Sequence, residues 1–310
     1  MEKGLVIKST GSRYRVLLDN GEITDCTIRG KFRTRDVKTT NPVAVGDIVH
    51  VVFNTAGTGE ASVITDIIPR RNYIIRRASN LSKQYQIIAA NIDQLLLLVT
   101  IKLPETPVEF IDRFLVTAEA YRIKAIIVFN KTDIYDRWET ERMNELASMY
   151  GKIGYECLGV SITTGDNMDK LREIIRDKIT LVSGNSGVGK TTMLNQFNPE
   201  LDLRTDEISD YHKQGKHVTT FPEMHPMPFG GYVIDTPGIR GFGVIDIGRE
   251  EVYHFFPEIF RVAASCRFHN CLHLEEPGCA VRTAVEAGEI SMSRYRSYLN
   301  ILEDENSKYR

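Results

Sequence analysis

The sequence predicts a multidomain chain in three parts: an N-terminal OB-fold β-barrel over residues 1–70, a central circularly permuted α/β phosphate-loop domain over 71–245, and a C-terminal α-helical zinc-knuckle domain over 246–310. Three observations carry that expectation. Short strand-like runs fill the first part, separated by turn residues. The tetrapeptide Asn130-Lys131-Thr132-Asp133 precedes the glycine loop Gly184-Asn185-Ser186-Gly187-Val188-Gly189-Lys190-Thr191, the reverse of the usual order of these two elements. The spacing Cys266-x4-Cys271-x-His273-x5-Cys279 follows near the end.

The first part reads as strands over Gly4 to Ser9, Arg13 to Leu18, Glu22 to Thr27, Ile48 to Phe53 and Ala61 to Ile68, with Asn20-Gly21 as a hairpin turn. Five strands in this length suit an OB-fold, which commonly binds nucleic acid. Its segment Lys31-Phe32-Arg33-Thr34-Arg35-Asp36-Val37-Lys38 has the make-up of a phosphate-contacting loop, and equally of a solvated one. Arg70-Arg71 and Arg76-Arg77 flank the expected linker and favour a polyanionic partner despite a net charge of −2.

In the central part, apolar Ile179-Thr180-Leu181-Val182 leads into Gly184, and Thr192 to Phe197 continues with helical spacing. Strand, glycine loop and helix therefore occur in the order a phosphate cradle requires. Gly184, Gly187 and Gly189 let backbone N–H groups of Asn185, Ser186, Val188 and their neighbours turn inward, and the helix N-terminus adds partial positive charge. Lys190 would reach the β and γ phosphates, and the Thr191 hydroxyl, next to Thr192, would bind Mg2+.

Asn130 to Asp133 follows the buried-strand pattern Ala125 to Phe129, which places it at the carboxyl end of a parallel sheet, where ligands of open α/β sheets bind. Asp133 would accept the two neighbouring N–H donors of guanine, Asn130 would brace the loop, and the stem of Lys131, beside Thr132, would lie along the base. Ser161-Ile162-Thr163-Thr164, after the strand-like Glu156 to Val160, matches a further base-supporting loop in which a backbone N–H meets the base. Asp235-Thr236-Pro237-Gly238 follows the strand Tyr232-Val233-Ile234 and matches the γ-phosphate sensor, with Asp235 holding Mg2+ through water and the Gly238 N–H on the phosphate. The polar stretch Glu200 to Thr220 is the expected switch loop, with Thr219, or Thr220 in its place, as the second Mg2+-binding threonine. Ile239 stands where a water-orienting glutamine is common and cannot hydrogen-bond water. Hydrolysis of GTP to GDP by the chain alone is therefore expected to be slow, with His217 a candidate for the missing group.

No apolar stretch has membrane-spanning length, since Ile92 to Ile101 is short and interrupted by Asp93 and Gln94. No signal-peptide pattern opens the sequence, and a cytoplasmic protein without membrane contact is expected. A reducing compartment favours metal over disulfides for the cysteine cluster. Three thiolates and an imidazole fill a tetrahedral Zn2+ shell and leave no open position, so the site is expected to be structural, with His269 as a rival ligand to His273. Cys26 and Cys157 lack metal-like spacing and read as core residues. Short amphipathic segments over Val281 to Ala287 and Ser291 to Leu302 suit packing against the knuckle.

Taken together, Asn130 to Asp133, Gly184 to Thr192, Asp235 to Gly238 and Cys266 to Val281 resemble the circularly permuted ribosome-associated GTPases called RsgA or YjeQ, across essentially the whole chain. The resemblance implies an OB-fold, a P-loop GTPase core and a zinc knuckle acting on the small ribosomal subunit and its ribosomal RNA late in assembly, with hydrolysis stimulated by that subunit. A monomer is expected. One departure is visible: the family's switch segment usually reads Gly-Arg-His-Thr-Thr, and here it is Gly215-Lys216-His217-Val218-Thr219. A nucleotide-gated binding module, an ATP-dependent enzyme and a plain RNA-binding protein are the other readings, and the pairing of Asp133 with Lys190, Thr191 and Asp235 weighs against the last two.

Overall fold

Period-two alternation of apolar residues builds the first part, and the computed structural model, which describes residues 1–28, 41–53, 62–77, 85–203, 222–235 and 247–307, shows a closed barrel there. Strands β1 (Glu2–Ser9), β2 (Tyr14–Leu18), β3 (Ile23–Ile28), β4 (Ile48–Val52) and β5 (Ser62–Ile67) pair in the order β1-β2-β3-β5-β4-β1. The β3–β5 pairing is parallel and the others antiparallel. Tyr14, Val16 and Leu18 turn inward to meet Val6, Val49, Val51 and Ile64. The Asn20-Gly21 turn closes with Gly21 at φ +87°, and the Leu18 N–H reaches the Glu22 carbonyl at 2.8 Å. The basic segment Lys31 to Lys38 lies outside the described residues.

The expected linker has structure of its own, a hairpin of β6 (Tyr73–Arg77) and β7 (Tyr85–Ala90). Arg70 does not face a polyanion. Its guanidinium grips the buried Asp47 carboxylate at 2.6 and 2.7 Å and the Pro42 carbonyl at 2.7 Å. Arg71 bonds Asp93 and the Asn91 carbonyl. The arginine pair therefore fastens the barrel to the next domain, a role that a run of cations in a sequence does not distinguish from phosphate binding.

The central domain is doubly wound. Strands β8 (Gln94–Val99), β9 (Lys124–Phe129), β10 (Glu156–Gly159), β11 (Ile179–Ser183), β12 (Glu223–Pro226) and β13 (Tyr232–Asp235) lie in the order β10-β9-β8-β11-β13-β12, parallel except for β12. The apolar run too short to cross a membrane is β8, buried along its whole length as a central parallel strand requires. Leu95, Leu97 and Val99 face a core closed by α1 (Val108–Ala120) and α2 (Arg137–Ile153). Leu96 and Leu98 face the opposite core, closed by α3 (Met168–Ile175) and α4 (Lys190–Phe197).

The C-terminal unit starts with a 3-10 segment, Arg249–Phe255, and continues through α5 (Pro257–Ala263), α6 (Ala280–Glu286) and α7 (Met292–Ser307). Its core includes Val116 of α1, so it is seated on the central domain. Fully buried Arg294 of α7 anchors that seat. Its guanidinium bonds Asp112 of α1 at 2.8 Å and Glu258 of α5 at 2.7 Å, and stacks over Phe256 at 4.6 Å. The Tyr150 hydroxyl of α2 donates to the same Asp112 oxygen at 2.8 Å. No helix among the described residues is long and apolar enough to cross a membrane.

Candidate functional site

The parallel strands β10, β9, β8, β11 and β13 all point their carboxyl ends to one edge of the sheet, and the loops leaving that edge carry the site. After β11 the chain turns at Gly184, whose φ of +149° is joined by a steric demand: a Cβ there would stand 2.4 Å from the Leu98 carbonyl oxygen. Gly189, at φ +103°, is pressed against Asn130, with a Cβ position 2.5 Å from Nδ2. Helix α4 opens at Lys190 with no side-chain cap, which leaves its first N–H groups facing the loop. The Lys190 ammonium closes across the loop to the carbonyls of Gly184 at 2.7 Å and Asn185 at 2.8 Å. Burial lowers its pKa, and the field of Asp235 works in the opposite direction. Asp235 ends β13 in register with Val182 of β11, beside the glycine loop.

The loop from Asn130 to Asp133 is tied to the glycine loop by one buried side chain. Asn130 donates through Nδ2 to the Val188 carbonyl at 2.7 Å, and its Oδ1 accepts from the Ile162 N–H at 3.2 Å. Three loops thus meet on one amide. Lys131 takes a left-handed backbone, φ +69°, and its ammonium bonds the Leu103 carbonyl; burial lowers its pKa, with Asp133 opposing. Thr132 holds its N–H on the Val160 carbonyl at 3.2 Å. Asp133 is exposed, and its Oδ1 accepts the Ser161 hydroxyl at 2.6 Å. That hydroxyl also accepts from the Thr164 N–H at 3.1 Å, which fixes its proton toward Asp133. The Ser161 N–H is taken by the Asp166 carbonyl. Ser161 therefore meets Asp133 through its hydroxyl, and its backbone N–H is engaged within its own loop.

Thr219, Thr220, His217, Thr236, Pro237, Gly238 and Ile239 lie outside the described residues. The structure brings together Asn130 to Asp133, Ser161, the loop from Gly184 to Thr192 and Asp235. Sequence reading missed the clamp of Ser161 on Asp133 and the support from Tyr135, whose hydroxyl bonds the Asn130 carbonyl at 2.5 Å and accepts the Ile101 N–H at 2.9 Å. The first had a signal, a serine opening the loop after β10. The second had none.

The donor atoms of Cys266, Cys271, His273 and Cys279 all lie within 4.8 Å of one another. His273 Nδ1 is 3.6 Å from the sulfurs of both Cys266 and Cys279. A tetrahedral ion with S at about 2.3 Å and N at about 2.05 Å would set S···N edges of about 3.6 Å. The donor set therefore fits. His269 is exposed and stands outside the group. Gly278, at φ +74°, makes the bend that returns Cys279, and the Glu276 carboxylate takes the N–H groups of Leu272 and Leu274 at 2.8 Å each. Tyr295 and Tyr298 of α7 clamp the carbonyls of His273 and Leu272. Burial pushes the Cys26 and Cys157 thiols up to about 11 and about 12, as befits inert packing residues.

Residues 67–245 match the family described as RsgA GTPase, and residues 3–61 match the RsgA N-terminal domain. Over 309 residues the chain is 54% identical to the small ribosomal subunit biogenesis GTPase RsgA of Bacteroides fragilis, with 99% of both chains covered. It is 51% identical over 308 residues to the protein of that name from Christiangramia forsetii, covering 99% of this chain and 98% of the other. Among solved structures, YjeQ from Thermotoga maritima superimposes with a TM-score of 0.78 at 35% identity over 98% of each chain. YloQ, described as a circularly permuted GTPase, gives 0.75 at 30% identity over 99% of this chain and 96% of the other. With the base-reading loop ahead of the phosphate loop and relatives matched from end to end, the chain belongs to the RsgA family of circularly permuted GTP hydrolases.

Proposed function

We propose that this chain binds the small ribosomal subunit and assists its late maturation, hydrolysing GTP to GDP and phosphate under stimulation by that subunit. The observation that carries the GTP part is Asn130, which fastens the base-reading loop to the phosphate loop at Val188. The subunit part rests on the function for which relatives matched over the full chain are named.

Asp133, held by Ser161, accepts the guanine N–H donors, with Lys131 and Thr132 beside it. The amides from Asn185 to Thr192 and the Lys190 ammonium hold the phosphates. Thr191, Thr219 and Asp235 would hold Mg2+, which when bound would supply positive charge to neutralise the phosphates. Gly238 and Thr219 respond to the γ phosphate, and His217 supplies the polar group that Ile239 lacks. Cys266, Cys271, His273 and Cys279 hold one structural Zn2+. The working units are 1–70, 71–245 and 246–310, the first contacting ribosomal RNA, in a cytoplasmic monomer. Sedimentation with purified small subunits tests the reading: the chain loaded with a non-hydrolysable GTP analogue should co-sediment, and the GDP-loaded chain should not. Equal co-sedimentation in both states contradicts it.

A further inference from the structure

The barrel is attached to the central domain in two places of different character. One is buried: Asp47 with Arg70, the Ala90 N–H on the Val45 carbonyl at 2.8 Å, and Asn91 Nδ2 on the Gly46 carbonyl at 2.9 Å. Gly46 is pressed so closely there that a Cβ would fall 2.1 Å from the Ala90 oxygen. These contacts tie the barrel to the hairpin.

The other attachment is to β12, the edge strand that lies between the expected switch loop and the γ-phosphate sensor. Strand β1 pairs with it at Lys8 opposite Glu223, and the Lys8 ammonium bonds the Glu223 carboxylate at 2.8 Å. Glu223 is in turn opposite Asp235 on β13, and Asp235 is opposite Val182 at the root of the phosphate loop. One register line therefore runs from the barrel to the nucleotide site. A bulge in β1 between Val6 and Lys8 breaks the alternation at this point. Val6 turns into the barrel, while Leu5 and Ile7 pack on the core that holds Met224 and Ile234. Two carboxylates directly opposite each other, Glu223 and Asp235, repel unless each has its own cation. Lys8 serves Glu223, and Asp235 and Lys190 lie in each other's field.

From this line we infer that Lys8 and Glu223 are a positioning pair that couples the barrel to the nucleotide state. The inference rests on the GTP reading of the site. Replacing GDP by GTP shifts β12 through β13, whose Asp235 lies beside the glycine loop, and the pair passes that shift to β1. Coupling is reciprocal, so a ligand that holds the barrel in one position alters nucleotide preference by the same factor. Both side chains are about one-third exposed, at 35% and 37%, so the pair adds little to folding, and variants there keep the fold.

Hydrogen exchange of residues 2–9 in the full chain, loaded with GDP or with a non-hydrolysable GTP analogue, reads the coupling without any ribosomal component. In the parent the two states should differ by about five-fold or more in exchange rate. Lys8→Gln and Glu223→Gln should abolish the difference while Lys8→Gln keeps both nucleotide affinities within about two-fold, and Lys8→Arg should retain it. Equal exchange in the two states of the parent, or a difference that survives Lys8→Gln, overturns the inference. Equal loss of affinity for both nucleotides in the two glutamine variants makes the pair a structural brace and overturns it as well. A parent that binds neither nucleotide takes down the GTP reading together with this one, and so is told apart from failure of the coupling alone.

Discussion

In the proposed role, Asp133 accepts from two adjacent N–H donors of guanine, and xanthine presents a carbonyl in place of one of them. Asp133→Asn should therefore weaken GTP and favour XTP in a competition assay, and a variant that keeps the parent's preference for GTP removes the base-reading role. Ser161 holds that carboxylate in place with one hydrogen bond at 2.6 Å. Ser161→Ala should cost about 1 kcal/mol, roughly five-fold in affinity for both GTP and GDP, because base reading is common to the two. Titration of fluorescent guanine nucleotides checks this, and an effect on GTP alone would move Ser161 to the phosphate side of the site. The tetrapeptide from Asn130 to Asp133 was legible in the sequence because its chemistry lies within four consecutive residues. The Ser161–Asp133 and Tyr135–Asn130 bonds were not, because each depends on how one loop approaches another in space.

Among the elements, the strands were the most legible. Their turns carry glycine at fixed positions, as at Gly21 and Gly184, and their apolar residues recur with a clear period. The seat of the C-terminal unit was invisible, since Arg294, Asp112 and Glu258 are far apart in the chain and look like ordinary surface charges. Removing one partner from a buried ion network leaves the others uncompensated, at a cost of about 3–5 kcal/mol. Arg294→Met should lower the thermal midpoint and speed proteolysis within residues 247–307, and an unchanged midpoint would show that the apolar contacts alone hold α7 on α1. The knuckle is the second support of this unit. Metal analysis should find one Zn2+ per chain, and Cys271→Ser should lose it and loosen the same residues, because binding and folding of so small a unit are linked. A fully protected C-terminal unit in a metal-free sample contradicts that role.

For the whole molecule, the permuted order has a geometric consequence. The phosphate-loop strand β11 sits between β8 and β13, and β13 leads through β12 to the barrel. The direct sequence connection from Asp235 to the C-terminal unit suggests a lever toward the zinc knuckle. The inferred coupling runs elsewhere, through β12, which carries the barrel at Lys8, while Arg294 seats the C-terminal unit on α1 and α2. Charge runs misled the sequence reading at Arg70 for a general reason: a cation facing phosphate and a cation facing a buried aspartate have the same signature until the fold is known. The proposed ribosomal role requires the small subunit to complete a catalytic set that Ile239, which cannot hydrogen-bond water, leaves open, with His217 and Thr219 as the proposed participants. Hydrolysis of GTP should therefore be slow for the chain alone and rise with the concentration of purified small ribosomal subunits, saturating as they bind, while large subunits leave it unchanged. A rate that stays flat across both titrations, at protein concentrations where GTP is bound, contradicts the ribosomal role and leaves a GTPase whose partner is another molecule.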